Sequence, residues 1–154
     1  MKRFYQAPRV QTKNAFYFPA FAQYDIPCTE GDERSQDSPT ANCYMLFNGL
    51  LEWDDARNAC AILGQGAHLA TIESAAENNI VDNLAGGSDV WVGGNDQSIE
   101  GTFVWVTGEP FIFTNWAAGE PNDNGGQDCL QVYGDGSWDD DSCAVSKPYV
   151  CERE

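Results

Sequence analysis

Basic residues are scarce in this chain: 8 Lys and Arg stand against 24 Asp and Glu, for a formal net charge of −16 at pH 7. That balance excludes nucleic acid as a partner, because phosphate binding needs a positive surface that releases counterions, and it excludes anionic membrane surfaces on the same ground. Histidine occurs once, at His68, which leaves a histidine-dependent triad without support. No apolar run approaches the roughly 18 residues of a spanning helix. Asn-x-Ser/Thr acceptors and Cys-x-x-Cys spacings are both missing, as are internal repeats and low-complexity tracts. The opening "MKRFYQAPRVQTKNAFYFPAFAQ" has no uninterrupted apolar core and is no signal peptide.

What is present describes one globular domain. The 154 residues are 42% hydrophobic and 12% aromatic, enough to build a core. Six cysteines, an even number without metal-type spacing, point to three disulfides and an oxidising compartment, so the expectation is the mature part of a secreted protein separated from its leader. Six cysteines allow fifteen pairings, and composition does not choose among them.

Residues 1–27 stand apart from the domain at 28–154. They hold half of the positive charge (Lys2, Arg3, Arg9, Lys13) and seven aromatic residues, and read as an N-terminal strand packed on the domain or as the contact of a homo-oligomer. The polar stretch 28–43 reads as a loop flanked by cysteines. "LLEWDDARNACAIL" places Leu51, Ala56, Ala59, Cys60 and Leu63 near one helical face, stopped by Gly64 and Gly66. A second helix is marked by the Ser74-x-x-Glu77 capping box, the apolar Ile80, Val81 and Leu84, and Gly86-Gly87 at its end. After residue 89 the short runs "VWVGG", "TFVWV", "CLQVY" and "PYVC" read as strands bearing long loops. Helices first and strands later predict an α+β domain.

The stretch "GEPNDNGGQDCLQVYGDGSWDDDSC", residues 119–143, concentrates seven acids with no Lys or Arg. Such a cluster is a solvated face, a pair of catalytic acids or a hard-cation site. The acids lie on a segment carrying two cysteines and are interleaved with Asn122, Asn124 and Gln127, the oxygen-donor mixture that Ca²⁺ accepts at six to eight positions. Proline is the residue for which a cis peptide is cheap, and a cis Glu120–Pro121 bond turns the side chains of Glu120 and Asn122 toward one point. An EF-hand loop starting at Asp135 fails, since its sixth position is Asp140 and not Gly. A glycosidase pair has no support either, because no acid is flagged by an apolar pocket that would raise its pKa.

The motifs "CYMLF" (43–47), "AHLATIES" (67–74), "WVGG" (91–94), "NW" (115–116), "EPN" (120–122) and "WDD" (138–140), with the cysteine spacing, are together highly specific. Over residues 28–152 the chain resembles the C-type lectin-like domain, in particular its long form and its calcium-dependent, sugar-binding members. The resemblance implies small antiparallel sheets, a long calcium-binding loop region, and three disulfides: Cys28–Cys43, Cys60–Cys151 and Cys129–Cys143. It implies no enzymatic activity. Carried over residue by residue, it implies a sugar-binding calcium site at Glu120, Asn122, Gln127, Asp139 and Asp140, and an auxiliary calcium site at Asp96, Glu100, Asp123 and Asp128. The expected partners are glycans and their terminal monosaccharides.

Two ligand positions depart from the family pattern: Gln127 stands where Glu is usual, and Asp139 where Asn is usual. Three carboxylates remain, so calcium affinity is expected to survive. In the family, neighbouring sugar hydroxyls donate to carboxylate ligands and accept from amide ligands; an amide donates, whereas a carboxylate at neutral pH only accepts. The EPN motif goes with mannose, fucose and N-acetylglucosamine, and exchanging its Glu and Asn to Gln and Asp goes with galactose. Here the equivalent exchange falls on the opposite pair, which predicts a specificity of the mannose, fucose and N-acetylglucosamine type that is blurred or shifted toward galactose-type diols, although residues 123–126 offer no aromatic ring for stacking. The rival expectation is a protein-binding or ice-binding domain of the same fold.

Overall fold

A computed structural model describes residues 33–34 and 42–153 of the protein. Among these, the chain runs β1 (Glu33–Arg34), β2 (Cys43–Leu51), α1 (Trp53–Ile62), β3 (His68–Leu69), α2 (Ala75–Ala85), β4 (Val90–Asn95), β5 (Val104–Trp105), β6 (Cys129–Val132), β7 (Trp138–Asp141) and β8 (Lys147–Arg153). The segment 1–27 and Cys28, the expected partner of Cys43, lie outside the described residues. No helix among the described residues is long and apolar enough to cross a membrane.

The α+β composition is as expected, but the order is not helices first. The nine-residue β2 precedes both helices and pairs antiparallel with β8, from Cys43↔Arg153 to Phe47↔Tyr149, with an irregularity before Leu51↔Lys147. That last pair places Leu51 in the sheet, so α1 starts at Trp53 and not at Leu50. Trp53, Ala56 and Cys60 form its buried face. The second helix follows its local signals: the Glu77 amide donates to Ser74 Oγ at 3.3 Å, and Glu77 Oε2 accepts from the Glu73 amide at 2.7 Å. Gly86 then ends the helix in the left-handed region, at φ 59°.

The strands join in one sheet in the order β1-β2-β8-β4-β6-β7, with β3 attached to β8 and β5 to β4. It is a mixed sheet, because β4 and β8 meet in parallel at Trp91↔Tyr149 while the other pairs are antiparallel. Side chains of a strand alternate between faces, and this alternation divides the core. Val90, Val92, Leu130, Val132 and Val150 join Val81 and Ala85 of α2 on one side. Trp91, Cys129, Tyr149 and Cys151 join Trp53, Ala56 and Cys60 of α1 on the other. All of β4 is buried, which explains the glycines of "WVGG": a Cβ on Gly93 would lie 2.8 Å from the Leu69 carbonyl, and one on Gly94 2.8 Å from Leu130 Cδ1.

Two of the implied disulfides are present. Cys60–Cys151 links α1 to β8, and Cys129–Cys143 links the start of β6 to the turn after β7, with Cα separations of 5.5 and 5.2 Å. The acidic stretch therefore occupies the β7 edge of the sheet, closed off by the second bridge.

Candidate metal centre

The loop before β6 is organised around one carboxylate. Glu120–Pro121 is a cis peptide, as its sequence position suggested. Just beyond it, Asp140 Oδ1 accepts the Asn122 amide at 2.8 Å and Asp140 Oδ2 accepts the Asp123 amide at 2.6 Å. Asp123, itself in the left-handed region at φ 43°, turns its Oδ1 onto the amides of Gly126 and Gln127. The Asn124 amide is shared by Asn122 Oδ1 at 2.9 Å and Gln127 Oε1 at 2.8 Å, so these two side-chain oxygens converge on one N–H.

Oxygen atoms of Glu120, Asp139 and Asp140 lie within 4.8 Å of one another. Neighbouring residues of a strand point to opposite faces, yet Asp139 and Asp140 both reach Glu120, because β7 is the edge strand and the loop closes around it. Asp139 and Asp140 are 6% and 1% exposed. Glu120 Oε2 is buried without a hydrogen-bond partner, and loss of solvent together with the Asp139 and Asp140 carboxyls pushes the Glu120 carboxyl above its ordinary range. Three carboxylates at this spacing repel, and an oxygen with no donor is costly to bury. Hard divalent cations are the ligand class that removes both costs, and the adjoining amide oxygens suit calcium. The donor set fits the metal that the sequence implied.

The two departures from the family pattern each have a partner. Asp139 Oδ2 accepts Gln131 Nε2 at 2.6 Å and the Tyr133 hydroxyl at 2.6 Å, and this bond to Asp139, aided by burial, raises the Tyr133 phenol well above its usual range. Gln127 Nε2 donates to Asp141 Oδ1 at 3.2 Å. Burial acts to raise the Asp141 carboxyl, but the Lys147 ammonium, 2.9 Å away, the Ser142 amide and Gln127 together outweigh it and the net shift is downward. Sequence reasoning singled out none of Gln131, Tyr133, Asp141 and Lys147 for this role.

The four acids of the expected second site are gathered less tightly; among the described residues only the Glu120 group brings three carboxylates within 4.8 Å. Asp96 is 3% exposed, with Oδ2 on the Gly101 amide at 2.8 Å and Oδ1 buried without a partner. Its carboxyl is raised by burial, opposed by Gly101 and reinforced by Asp128. Glu100 is raised by desolvation and by the charges of Asp96, Asp123 and Asp128, so all four act on one region.

Beneath the loops lies an aromatic cluster of Phe103, Trp105, Phe111, Phe113, Trp116 and Trp138. Trp105 and Trp138 are buried, and Trp138 Nε1 donates to Asn78 Oδ1 at 2.6 Å. These rings pack against one another under the loops.

The lectin C-type domain family matches residues 50–153. The chain is 36% identical to lectin BRA-3 of Megabalanus rosa over 135 residues, covering 86% of this chain and 83% of that protein. It spans only 25% to 34% of the length of the longer curated relatives it matches. Among solved structures, the carbohydrate-recognition domain of cow CD23, crystallised in the presence of a GlcNAc2Man3 oligosaccharide, superposes with a TM-score of 0.69 at 36% identity, over 73% of this chain and 87% of that one. The herring type II antifreeze protein superposes at 0.66 and 26%, over 73% of this chain and 90% of its own. These define a non-enzymatic, disulfide-bonded domain of the carbohydrate-binding class. The chain belongs to the C-type lectin family.

Proposed function

We propose that the protein is a calcium-dependent lectin whose binding site is built from Glu120, Asn122, Gln127, Asp139 and Asp140. The observation that carries this reading is the buried, unpartnered Glu120 Oε2 facing two further carboxylates, beside two converging amide oxygens. A calcium ion held there supplies open coordination positions for two neighbouring hydroxyls of a terminal sugar. The residues do the rest: Glu120 and Asp139 accept hydrogen bonds from those hydroxyls, and the amides of Asn122 and Gln127 donate to them. Asp96, Glu100, Asp123 and Asp128 hold a second ion that stiffens the loop. The bridged, acidic domain belongs outside the cell, where millimolar calcium suits such sites. Single sites of this kind are shallow, so avidity comes from several copies, joined through residues 1–27.

The test is retention on mannose, fucose, N-acetylglucosamine and galactose resins, with calcium and then with chelator. Calcium-dependent retention competed by free sugar supports the lectin reading, and galactose competing at least as well as mannose supports the shift in specificity. Clean mannose selectivity at every concentration sinks the shift. Calcium binding without retention on any resin favours the second reading, a protein-binding or ice-binding domain, which the similarity to the herring antifreeze protein motivates.

Acid has opposite effects on the two forms. Asp96, Glu100 and Glu120 have folded-state carboxyls above their ordinary values, so without metal they bind protons more tightly folded than unfolded. Their contribution to stability is full below the unfolded value and is lost as pH rises through the folded one. The chelated protein is therefore expected to melt at a higher temperature near the ordinary carboxylate range than at neutral pH. The calcium-loaded protein is expected to do the reverse, because protons displace the ion, and sugar is released with it. Scanning fluorimetry in both conditions checks this; parallel trends would contradict it.

A further inference from the structure

We infer that Tyr133 and Gln131 are positioning residues of the sugar-facing side of this site, holding Asp139 as a pure acceptor with one oxygen free; the inference rests on the calcium reading above. The hairpin register produces the arrangement. Gln131 lies directly opposite Asp139 in the β6–β7 ladder, and Tyr133, two residues further along, is its diagonal neighbour on the same face. Both donate to the same oxygen, Oδ2, at 2.6 Å. Two charge-assisted bonds on one oxygen commit it to the protein, which leaves Oδ1 as the atom available to an ion or a hydroxyl.

These neighbours make the exchange at 127 and 139 self-consistent. An Asn at 139 must either set its NH₂ against two donors or swing its oxygen onto them and aim NH₂ at the cation. A Glu at 127 must set a carboxylate against Asp141, where Gln127 now donates at 3.2 Å. Asp141 cannot yield easily, since it also accepts the Ser142 amide and pairs with Lys147. Four residues that hold no metal therefore fix which ligand donates and which accepts. The ligand class follows: a vicinal diol in which one hydroxyl gives its proton to Asp139 and receives one from Gln127.

The experiment is calorimetric titration with CaCl₂ alone, with no sugar, on the wild-type protein, Tyr133→Phe and Gln131→Met, beside melting curves of each in chelator. Both substitutions keep side-chain bulk and remove a donor. The expected result is a loss of calcium affinity of about tenfold in each variant, with the chelated protein still folded and its melting temperature lowered by no more than one charge-assisted hydrogen bond accounts for, about 3–12 °C. The mannose-to-galactose competition ratio is expected to shift in the same variants. If the wild-type protein binds calcium and both variants match it to within about twofold, this inference falls while the calcium reading stands. If the chelated variants do not fold, or lose more stability than one hydrogen bond accounts for, their role is structural and the inference falls as well. A wild-type protein indifferent to calcium overturns the proposed function, and this inference with it.

Discussion

Replacing Asp140 by Asn is expected to lower calcium affinity more than a hundredfold and to abolish calcium-dependent sugar retention. Asp140 is 1% exposed and touches everything the site depends on. Its two oxygens accept the Asn122 and Asp123 amides, fixing the chain just after the cis peptide, and one of them also lies within reach of Glu120 and Asp139. Asn keeps the size but turns one acceptor into a donor facing a backbone N–H. Hydrogen bonds to charged groups contribute about 1.5–3 kcal/mol each, and about 1.4 kcal/mol is a factor of ten in affinity. Outright loss of one such bond is about one to two decades, and weakening of the other together with the lost ligand charge carries the total past two. Asp54→Asn is the control, since it removes the same charge from the exposed start of α1. Calorimetric titration of both variants decides the point; equal calcium affinities for Asp140→Asn and wild type would remove this site from consideration.

The largest change in stability is expected from removing the Cys60–Cys151 bridge by paired substitution to Ala. The bridge spans 91 residues of sequence, and closing a loop of that length restricts the unfolded chain by about 4–5 kcal/mol in the chain-entropy model. Both cysteines are fully buried beside Trp53, Leu69 and Trp91, so the substitution also loosens the core against α1. A domain of this size loses about 2–4 °C of melting temperature per kcal/mol, giving a fall of about 10–20 °C. Urea denaturation under non-reducing conditions measures it, and a change below about 1 kcal/mol would contradict the chain-entropy account. Removing Cys129–Cys143, which spans 14 residues, is expected to cost less in stability and more in calcium affinity, because that bridge closes the acidic segment.

What the sequence disclosed was local or carried by motif. Ser74, Glu77 and Gly86 announce α2 because capping is decided within a few residues. Pro121 announces its cis bond, and the EPN and WDD motifs bring Glu120, Asp139 and Asp140 to one place. What stayed hidden depends on contacts between distant parts of the chain. The strand at Cys43–Leu51 has no clean alternation, since Leu50 is 64% exposed, and it is held by a ladder to residues about a hundred positions away. Leu51 looked helical for the same reason. The pairing of Tyr133 and Gln131 with Asp139 is invisible until the hairpin register sets 131 opposite 139. The Lys147–Asp141–Gln127 chain likewise needs β7 and β8 to be placed.

The strand order sets the two margins of the sheet far apart. The acidic segment lies at one margin of the sheet, at β7, and β1 forms the other. Five inter-strand steps of about 4.8 Å put these margins about 24 Å apart. Trp138, at the start of β7, is already bridged by the backbone around Trp116, and three consecutive aspartates follow it; charge on a bare margin discourages strand-to-strand recruitment by a second molecule. A contact made at the β1 margin would therefore leave the acidic rim at β7 uncovered, on the far side of the sheet.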